Sequence, residues 1–404
     1  MIRVYGFLPN FVSLFIIFVR SLLKLYMEAI RMVDLKRQYD RFRDEIDMAI
    51  QEVLDSTAFI NGPSVKAFRD EFAAYLDAPH VIPCANGTDA LQVALMALDL
   101  QPGDEVITTP FSFIASIEVI KLLGLVPVLA DVDPHSFNID PGQLEQLVTK
   151  KTKAIIPVHL FGQCAHLESI TDISNKHGLY VIEDTAQAVG TDYIFQDGSS
   201  KKAGTIGTIG TASFFPSKNL GCYGDGGAII TRDAALHHKI QAIVNHGSRT
   251  KYYYDEVGVN SRLDTMQAAI LRVKLRYLDS FHEARQKVAE TYDAELRNIP
   301  QLTLPARVPW STHIFHQYTL ILKDADRDLL REYLKGKEIP VMIYYPLPLH
   351  LQDAYKDLGY SRGDFPVTES LSETVFSIPM HTEMESEQIE YICHHIKTFL
   401  KQDN

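Results

Sequence analysis

The sequence predicts an α/β protein, a mostly parallel sheet between layers of helices, followed by a smaller C-terminal α+β region. Three observations predict it. Between Glu105 and Ile182, short apolar runs of strand length alternate with amphipathic runs of helix length. That alternation is the mark of a parallel sheet covered on both faces. Beyond Thr319 it gives way to separate strands and helices. Polar and reactive residues sit directly after the apolar runs, where open α/β sheets bind their ligands.

The elements follow in order. Leu35, Tyr39, Phe42, Ile46, Ala49 and Val53 recur at intervals of three and four, one face of an amphipathic helix. Asn61-Gly62-Pro63 ends that unit, and 65–76 reads as a second helix. A helical run then follows Asn86-Gly87-Thr88. Strands are expected at 105–109, 127–132, 153–159 and 179–182, and helices at 113–123, 141–148 and 167–177. A further strand ends at Phe214-Phe215, and another covers 228–230. A helix from Asp233 stops at His246-Gly247. A loop holding Tyr252-Tyr253-Tyr254 leads to GVNSRLDTMQAAILRVKL, from which one long helix, 263–296, is expected to bridge two domains. Strands at 318–322 and 341–345 and helices at 327–334 and 386–400 complete the chain. The expected division is an extension over 1–31, a large domain over 32–275 and a small one over 276–404.

Composition narrows the function classes. The 404 residues are 46% hydrophobic and 22% charged, ordinary for a globular protein. A net charge of −12 argues against a nucleic-acid partner. The four cysteines, Cys84, Cys164, Cys222 and Cys393, form no CxxC pair and no HExxH is present. No metal site is expected, and the cysteines suit a reducing compartment, the cytoplasm. GxxxxGK[ST] and GxGxxG are missing, which disfavours nucleotide hydrolysis and dinucleotide binding. At the N-terminus, Val4 to Val19 carries no charge but includes Gly6, Pro9 and Asn10. It is short for a membrane span. The favoured expectation is that translation starts at Met27 or Met32; a membrane anchor is the alternative, and membrane contact is expected only if this extension is real.

Three stretches carry chemistry. In SFFPSKNLGCYGDGGAII, Lys218 follows a broken aromatic strand and precedes Gly221, Gly224, Gly226 and Gly227. Glycines allow close approach of backbone and ligand, and a lysine desolvated in such a turn becomes a nucleophile. The plain alternative is a solvated lysine in a hairpin. Asn86-Gly87-Thr88 opens a helix, whose free N–H groups and dipole suit a phosphate; helix capping alone would also explain it. Asp184 ends the apolar run Tyr180-Val181-Ile182. A carboxylate there is costly unless it meets a cation, although a turn-capping Asp is common. Phosphate cup, anion and reactive lysine together ask for pyridoxal 5'-phosphate.

At this point residues 32–400 resemble the DegT/DnrJ/StrS family of nucleotide-sugar aminotransferases. The motifs are NGTDAL, TPFSFIAS, EDTAQA, SFFPSKNLGCYGDGGA, GVNSRLDTMQAAI and YYPLPLHLQ. The resemblance implies the fold type I aminotransferase architecture, with 32–275 as the cofactor domain. It implies that Lys218 bonds to the cofactor and Asp184 pairs with its ring nitrogen. It implies Gln187 near the ring hydroxyl, Phe113 on the ring face, and Gly87, Thr88 and Ser213 at the phosphate. Asn260 would reach the cofactor of a neighbouring subunit, so a homodimer with shared sites is implied. The implied reaction moves an amino group from glutamate to a nucleoside-diphosphate keto sugar, for cell-surface polysaccharide or aminosugar synthesis. Arg262, Tyr344, Tyr345 and His350 fall where the family meets the sugar. Arg262 could instead pair with Asp264 or Glu256; His313 and His316 could lie near the site, but packed histidines are the favoured expectation there. Tyr344-Tyr345 stands where a His-Tyr pair is expected in uronate enzymes, so a neutral 3-keto sugar, with a 3-keto-6-deoxyhexose first, is expected over a UDP-linked 3-keto uronate. A non-catalytic regulator on the same fold is the remaining alternative.

Overall fold

The computed structural model describes residues 28–250 and 252–402. The uncharged run from Val4 to Val19 lies outside them. The chain opens with α1 (Leu35–Arg41), α2 (Arg43–Ser56) and α3 (Pro63–Leu76). β1 (His80–Cys84) leads into α4 (Gly87–Ala97), then β2 (Glu105–Thr108), α5 (Ala115–Leu122) and β3 (Val126–Leu129). The single turn α6 (Leu144–Leu147), β4 (Thr152–Ile155), α7 (Leu167–His177) and β5 (Tyr180–Asp184) follow. A hairpin, β6 (Asp192–Ile194) and β7 (Ser200–Lys202), precedes β8 (Ile209–Ser213), β9 (Gly227–Thr231) and α8 (Ala234–Ile243). α9 (Thr265–Leu275), α10 (Leu278–Leu296), β10 (Leu302–Thr303), β11 (Tyr318–Leu322) and α11 (Arg327–Lys335) come next. α12 (Pro366–Thr374), β12 (Val375–Ile378) and α13 (Ser386–Gln402) close the chain.

The main sheet has seven strands in the order β1-β9-β8-β5-β4-β2-β3. β3, β2, β4, β5 and β8 pair in parallel, while β9 runs antiparallel to both neighbours, β8 and β1. Six strands therefore point the same way, and their carboxyl ends share one edge. This is the α/β architecture of fold type I. The lone reversal has a local cause: β8 and β9 are joined by the glycine-rich turn itself, and a direct return, unlike a helical crossover, gives an antiparallel pair. The short β1, not among the strands expected from the sequence, contains Pro83. It is an edge strand, where a missing N–H is tolerated.

Apolar residues cover both faces. Ile82, Leu91, Val106, Ile120, Ile156 and Ile229 fill one side, and Phe68, Phe72, Phe214, Ala228, Ile230 and Leu271 the other. Phe214, four residues before Lys218, meets Phe68 and Phe72 edge-on with ring centroids at 5.3 and 5.5 Å. Each such buried ring contributes on the order of 1.5–3 kcal/mol, so the root of the lysine turn is fixed to α3. A second core surrounds the antiparallel sheet β10-β11-β12, with Tyr292, Tyr318, Leu320, Leu334, Phe376 and Ile392 inside.

Three expected elements differ. The first helix breaks at Phe42, whose ring turns onto Tyr277 and Phe281. The expected helix 263–296 breaks between α9 and α10 at Arg276-Tyr277. The break lets α9 pack on α2 and α3, while α10 runs from Leu278 and Phe281 in the first core to Val288 and Leu296 in the second. Residues 341–345 form no strand. Only Met342 pairs, with Ser377, because Pro340 and Pro346 remove donors at either side.

α9 also buries a charge. Lys274 is 1% exposed; its Nζ donates to the Gly221 carbonyl and lies 5.2 Å from the Tyr223 ring centroid. Burial pushes its amine down to about 8. Below that pH the fold carries a desolvated ammonium; between about 8 and the ordinary lysine value the unfolded chain binds more protons, so stability rises with pH. Lys274→Met should abolish that rise. The wild type should gain on the variant by about 2 kcal/mol between pH 7 and 9.5 in denaturant titrations. A pH-independent difference would mean that Lys274 keeps an ordinary ionisation in the fold.

Candidate active site

A cavity of 680 Å³ opens at the shared strand edge. Each wall comes from the end of a different strand. Asn86, Gly87 and Thr88 follow β1, Ser112 and Phe113 follow β2, Val158 follows β4, Asp184 ends β5 and Ser213 ends β8. Lys218 enters from the turn between β8 and β9, and Tyr344, Tyr345, His316 and Gln317 close the far side from the C-terminal region.

The phosphate-type corner is built by close approach. A Cβ on Gly87 would lie 2.7 Å from Ser213 Cβ, so only glycine lets the start of α4 touch the end of β8. Asn86 caps α4 by accepting the Asp89 N–H at 2.8 Å. That leaves the first-turn N–H groups of Gly87 and Thr88 without intrahelical partners, beside the Ser213 hydroxyl.

Parallel pairing sets Asp184 against Thr211, two residues before Ser213. Asp184 is 6% exposed, and its carboxylate accepts one hydrogen bond, from the Ala186 N–H at 3.1 Å. Burial pushes this carboxyl up, and the Ala186 N–H and the charge of Lys218 pull the other way. Burial lowers the Lys218 amine to about 8, against the pull of Asp184. The neighbouring Glu183 points to the other face. It accepts the N–H groups of Gly204, Ile206 and Gly207 and meets His159 Nε2 at 3.0 Å. His159 Nδ1 accepts the Ala165 N–H at 3.1 Å, which places its proton on Nε2.

Gln187 is clamped at both ends: Oε1 accepts the Phe161 N–H at 2.8 Å, and Nε2 donates to the Tyr345 hydroxyl at 3.1 Å. Tyr345 also stands edge-on to Phe111. Phe113 is 56% exposed on the cavity rim.

Nine of the sequence-derived residues thus share one cavity: Gly87, Thr88, Phe113, Asp184, Gln187, Ser213, Lys218, Tyr344 and Tyr345. Three do not. Asn260 is exposed and pairs through its backbone with Asn245. Arg262 lines a separate cavity of 900 Å³ with Lys66, Arg69, Arg249, His237 and His238. Its buried Nε has no partner; Glu256 pairs with Arg249 instead, and the Asp264 side chain makes no cap bond, so neither alternative ion pair forms. His350 is buried against Phe365 with Nε2 3.0 Å from Glu369, away from the cavity. His313 is packed as expected, face to face with Phe315 at 3.8 Å. His316 is packed too, yet reaches the cavity with Asp89, Asp225 and Gln317. Asp89 and Asp225 stand inside the motifs NGTDAL and SFFPSKNLGCYGDGGA, which was their sequence signal; Gln317 had none.

The set fits pyridoxal phosphate: a donor-rich corner, a buried carboxylate short of a cation, and an amine near neutrality. Comparisons agree. The model of the DegT/DnrJ/EryC1/StrS aminotransferase family matches residues 40–397. A pleiotropic regulatory protein of Geobacillus stearothermophilus is 48% identical, covering 92% of this chain and 98% of that one. A UDP-2-acetamido-2-deoxy-3-oxo-D-glucuronate aminotransferase of Pseudomonas aeruginosa is 43% identical, covering 90% and 98%. Among solved structures, NtdA of Bacillus subtilis with bound cofactor PMP superposes with a TM-score of 0.82 at 31% identity, covering 89% and 82%.

Gly87→Ala tests the corner. The added methyl must push α4 from β8, so affinity for pyridoxal phosphate should fall by about 10-fold or more in equilibrium titrations of the apoprotein, the order expected when a positioned contact is displaced. Wild-type affinity would place the phosphate elsewhere.

Proposed function

Because the chain belongs to the DegT/DnrJ/EryC1/StrS aminotransferase family, we propose that it is a pyridoxal-phosphate-dependent aminotransferase that converts a nucleoside-diphosphate 3-keto sugar to its amine, with glutamate as donor. The observation that carries this reading is Lys218 and Asp184 on one cavity with the Gly87–Ser213 corner. When bound, the cofactor supplies the aldehyde that exchanges amino groups and the ring that withdraws electrons. The chain supplies the rest. Lys218, with an amine near pH 8, holds the cofactor and then moves a proton as general base and acid. Asp184 keeps the ring nitrogen protonated, and Gln187, held by Phe161 and Tyr345, fixes the ring hydroxyl. Gly87, Thr88 and Ser213 hold the phosphate, and Phe113 covers the ring.

Tyr344 and Tyr345 are the sugar contacts on this chain. Lys218 is the cavity's one Lys or Arg among the described lining residues, beside Asp89, Asp225 and Asp184. This chain's own lining offers a uronate carboxylate no guanidinium, and the Arg262 of a second copy would be taken by the substrate's diphosphate, which favours a neutral sugar such as a 3-keto-6-deoxyhexose. The uronate reading is supported by the 43% identical relative's named substrate. A purely regulatory role is disfavoured because the lysine, carboxylate and phosphate corner are all intact. The homodimer reading rests on exposed Phe59, Ile60 and Val257 and on Asn260 and Arg262, which stand outside their own cavity. A second copy would supply that pair to the site. His350 is not retained as a sugar contact. No described helix is long and apolar enough to cross a membrane. A cytoplasmic site of action is supported by four buried, unpaired cysteines.

The decisive experiment is amine formation from UDP- and dTDP-linked 3-keto sugars with glutamate, with Lys218→Ala as blank. Neutral sugars should turn over fastest, and Asp184→Asn should lower turnover by roughly 10²-fold, the scale of an electrostatic catalytic group. Strong preference for the uronate would reverse the substrate choice. For the shared site, mixing inactive Lys218→Ala and Asn260→Ala chains should restore activity, because one site per mixed dimer carries neither change. Mixed dimers without recovery would rule out Asn260 as a contact across subunits.

A further inference from the structure

Lys218 is followed by Asn219, which is buried and faces the C-terminal region. Asn219 Nδ2 donates to the Ile314 carbonyl at 3.3 Å, which turns Oδ1 toward His316 Nδ1 at 3.1 Å. A carboxamide oxygen only accepts, so His316 carries its proton on Nδ1. Nε2 is then a bare lone pair. It has no hydrogen-bond partner among the described residues, and His316 lines the cavity that holds Lys218. The backbone beneath the ring is fixed as well. Arg285, buried without a carboxylate, donates from Nη1 to the carbonyls of Phe315 at 3.1 Å, His316 at 3.4 Å and Met380 at 2.9 Å.

We propose that His316 is a positioning residue for Lys218, its unprotonated Nε2 accepting a hydrogen bond from the Lys218 ammonium whenever that amine is free of the cofactor. The inference rests on the reading of Lys218 as the residue that holds the cofactor. During turnover Lys218 must be released and still return its proton to the same place. An ammonium with only Asp184 to attract it would swing toward the carboxylate that the ring nitrogen needs. A neutral acceptor elsewhere on the cavity lining holds it without competing for that charge. Burial, Lys218 and Arg285 all keep His316 well below the ordinary histidine range, so it stays neutral at working pH. The other titratable groups facing Lys218 are Asp184 from β5, Asp225 from its own turn, Asp89 from α4, and Tyr344 and Tyr345 from the C-terminal region. Of these carboxylates only Asp184 acts on the Lys218 charge.

The test separates the two ring nitrogens. An Asn side chain reaches about as far as Nδ1, and a Gln side chain about as far as Nε2. Full-length protein with its cofactor converted to the amine form, which leaves Lys218 free, is labelled with trace acetic anhydride across pH. The Lys218 peptide is then quantified by mass spectrometry. His316→Asn keeps a group to meet Asn219 but nothing at Nε2. Its Lys218 midpoint should fall by about one pH unit, the scale of one charge-assisted hydrogen bond lost to the ammonium. His316→Gln restores an acceptor and should stay within about 0.3 unit of wild type. Asn219→Leu, which frees the proton to move to Nε2, should lower the midpoint as well and serves if His316→Asn does not fold. An unchanged midpoint in His316→Asn, or in Asn219→Leu where His316→Asn does not fold, overturns the proposal. So does an equal fall in His316→Gln. If Lys218 itself titrates as an ordinary surface lysine in the wild type, the reading of Lys218 fails first, and that outcome is distinct from the others.

Discussion

The site depends on a carboxylate buried before its partner arrives. Asp184 is almost fully enclosed, yet its side chain has one hydrogen bond, from Ala186. Burying an ionised carboxylate costs several kcal/mol unless a cation is close. Lys218 meets part of that demand and, being desolvated itself, is held near pH 8. Each group is thus poised by the other's incomplete compensation, and a protonated ring nitrogen held by Asp184 would satisfy what Lys218 leaves over. Perturbed groups of this kind mark functional positions because structure alone gives no reason to keep them.

The frame around the pair is correspondingly rigid. Glu183, one residue earlier, turns to the opposite face, where three backbone N–H groups and His159 hold it ionised. That fixes β5 to the loop before β8 and so sets the distance between Asp184 and the lysine turn. Phe214 packed on Phe68 and Phe72 fixes the other end. A Cβ on Gly221 would meet the Pro216 carbonyl at 2.3 Å, so the turn closes this tightly only with glycine.

The C-terminal region completes the cavity through polar bonds. Tyr345 is bonded to Gln187, and the Ile314–His316 segment to Asn219. These bonds join residues 158, 95 and 97 positions apart in the chain, and so bring distant segments to the neighbours of Asp184 and Lys218. Buried polar bonds of this sort are sensitive to orientation. They tie Tyr345, one of the two proposed sugar contacts, to Gln187, one of the residues proposed to hold the cofactor.

The sequence by itself determined the α/β class and the cofactor chemistry, and local pattern marked Gly87, Thr88, Asp184 and Lys218: strand periodicity, a Gly-Thr helix start, an Asp at a strand end, a lysine before glycines. Phe113, Gln187, Ser213, Tyr344 and Tyr345 came only from the family resemblance of the motifs around them. The break at Arg276-Tyr277 was not legible, because residues 263–296 are rich in good helix formers and hold no Gly or Pro, and packing on two separate cores divides them. Nor was β9's reversal, which follows from a tight return after β8. Only the tertiary structure decided that His350 belongs to Glu369, that Arg262 faces a different cavity, and that His316 serves packing and site at once. The physical reason is the same in each case. A histidine or arginine has several possible partners in the sequence, and which one it meets depends on long-range packing that no local pattern encodes.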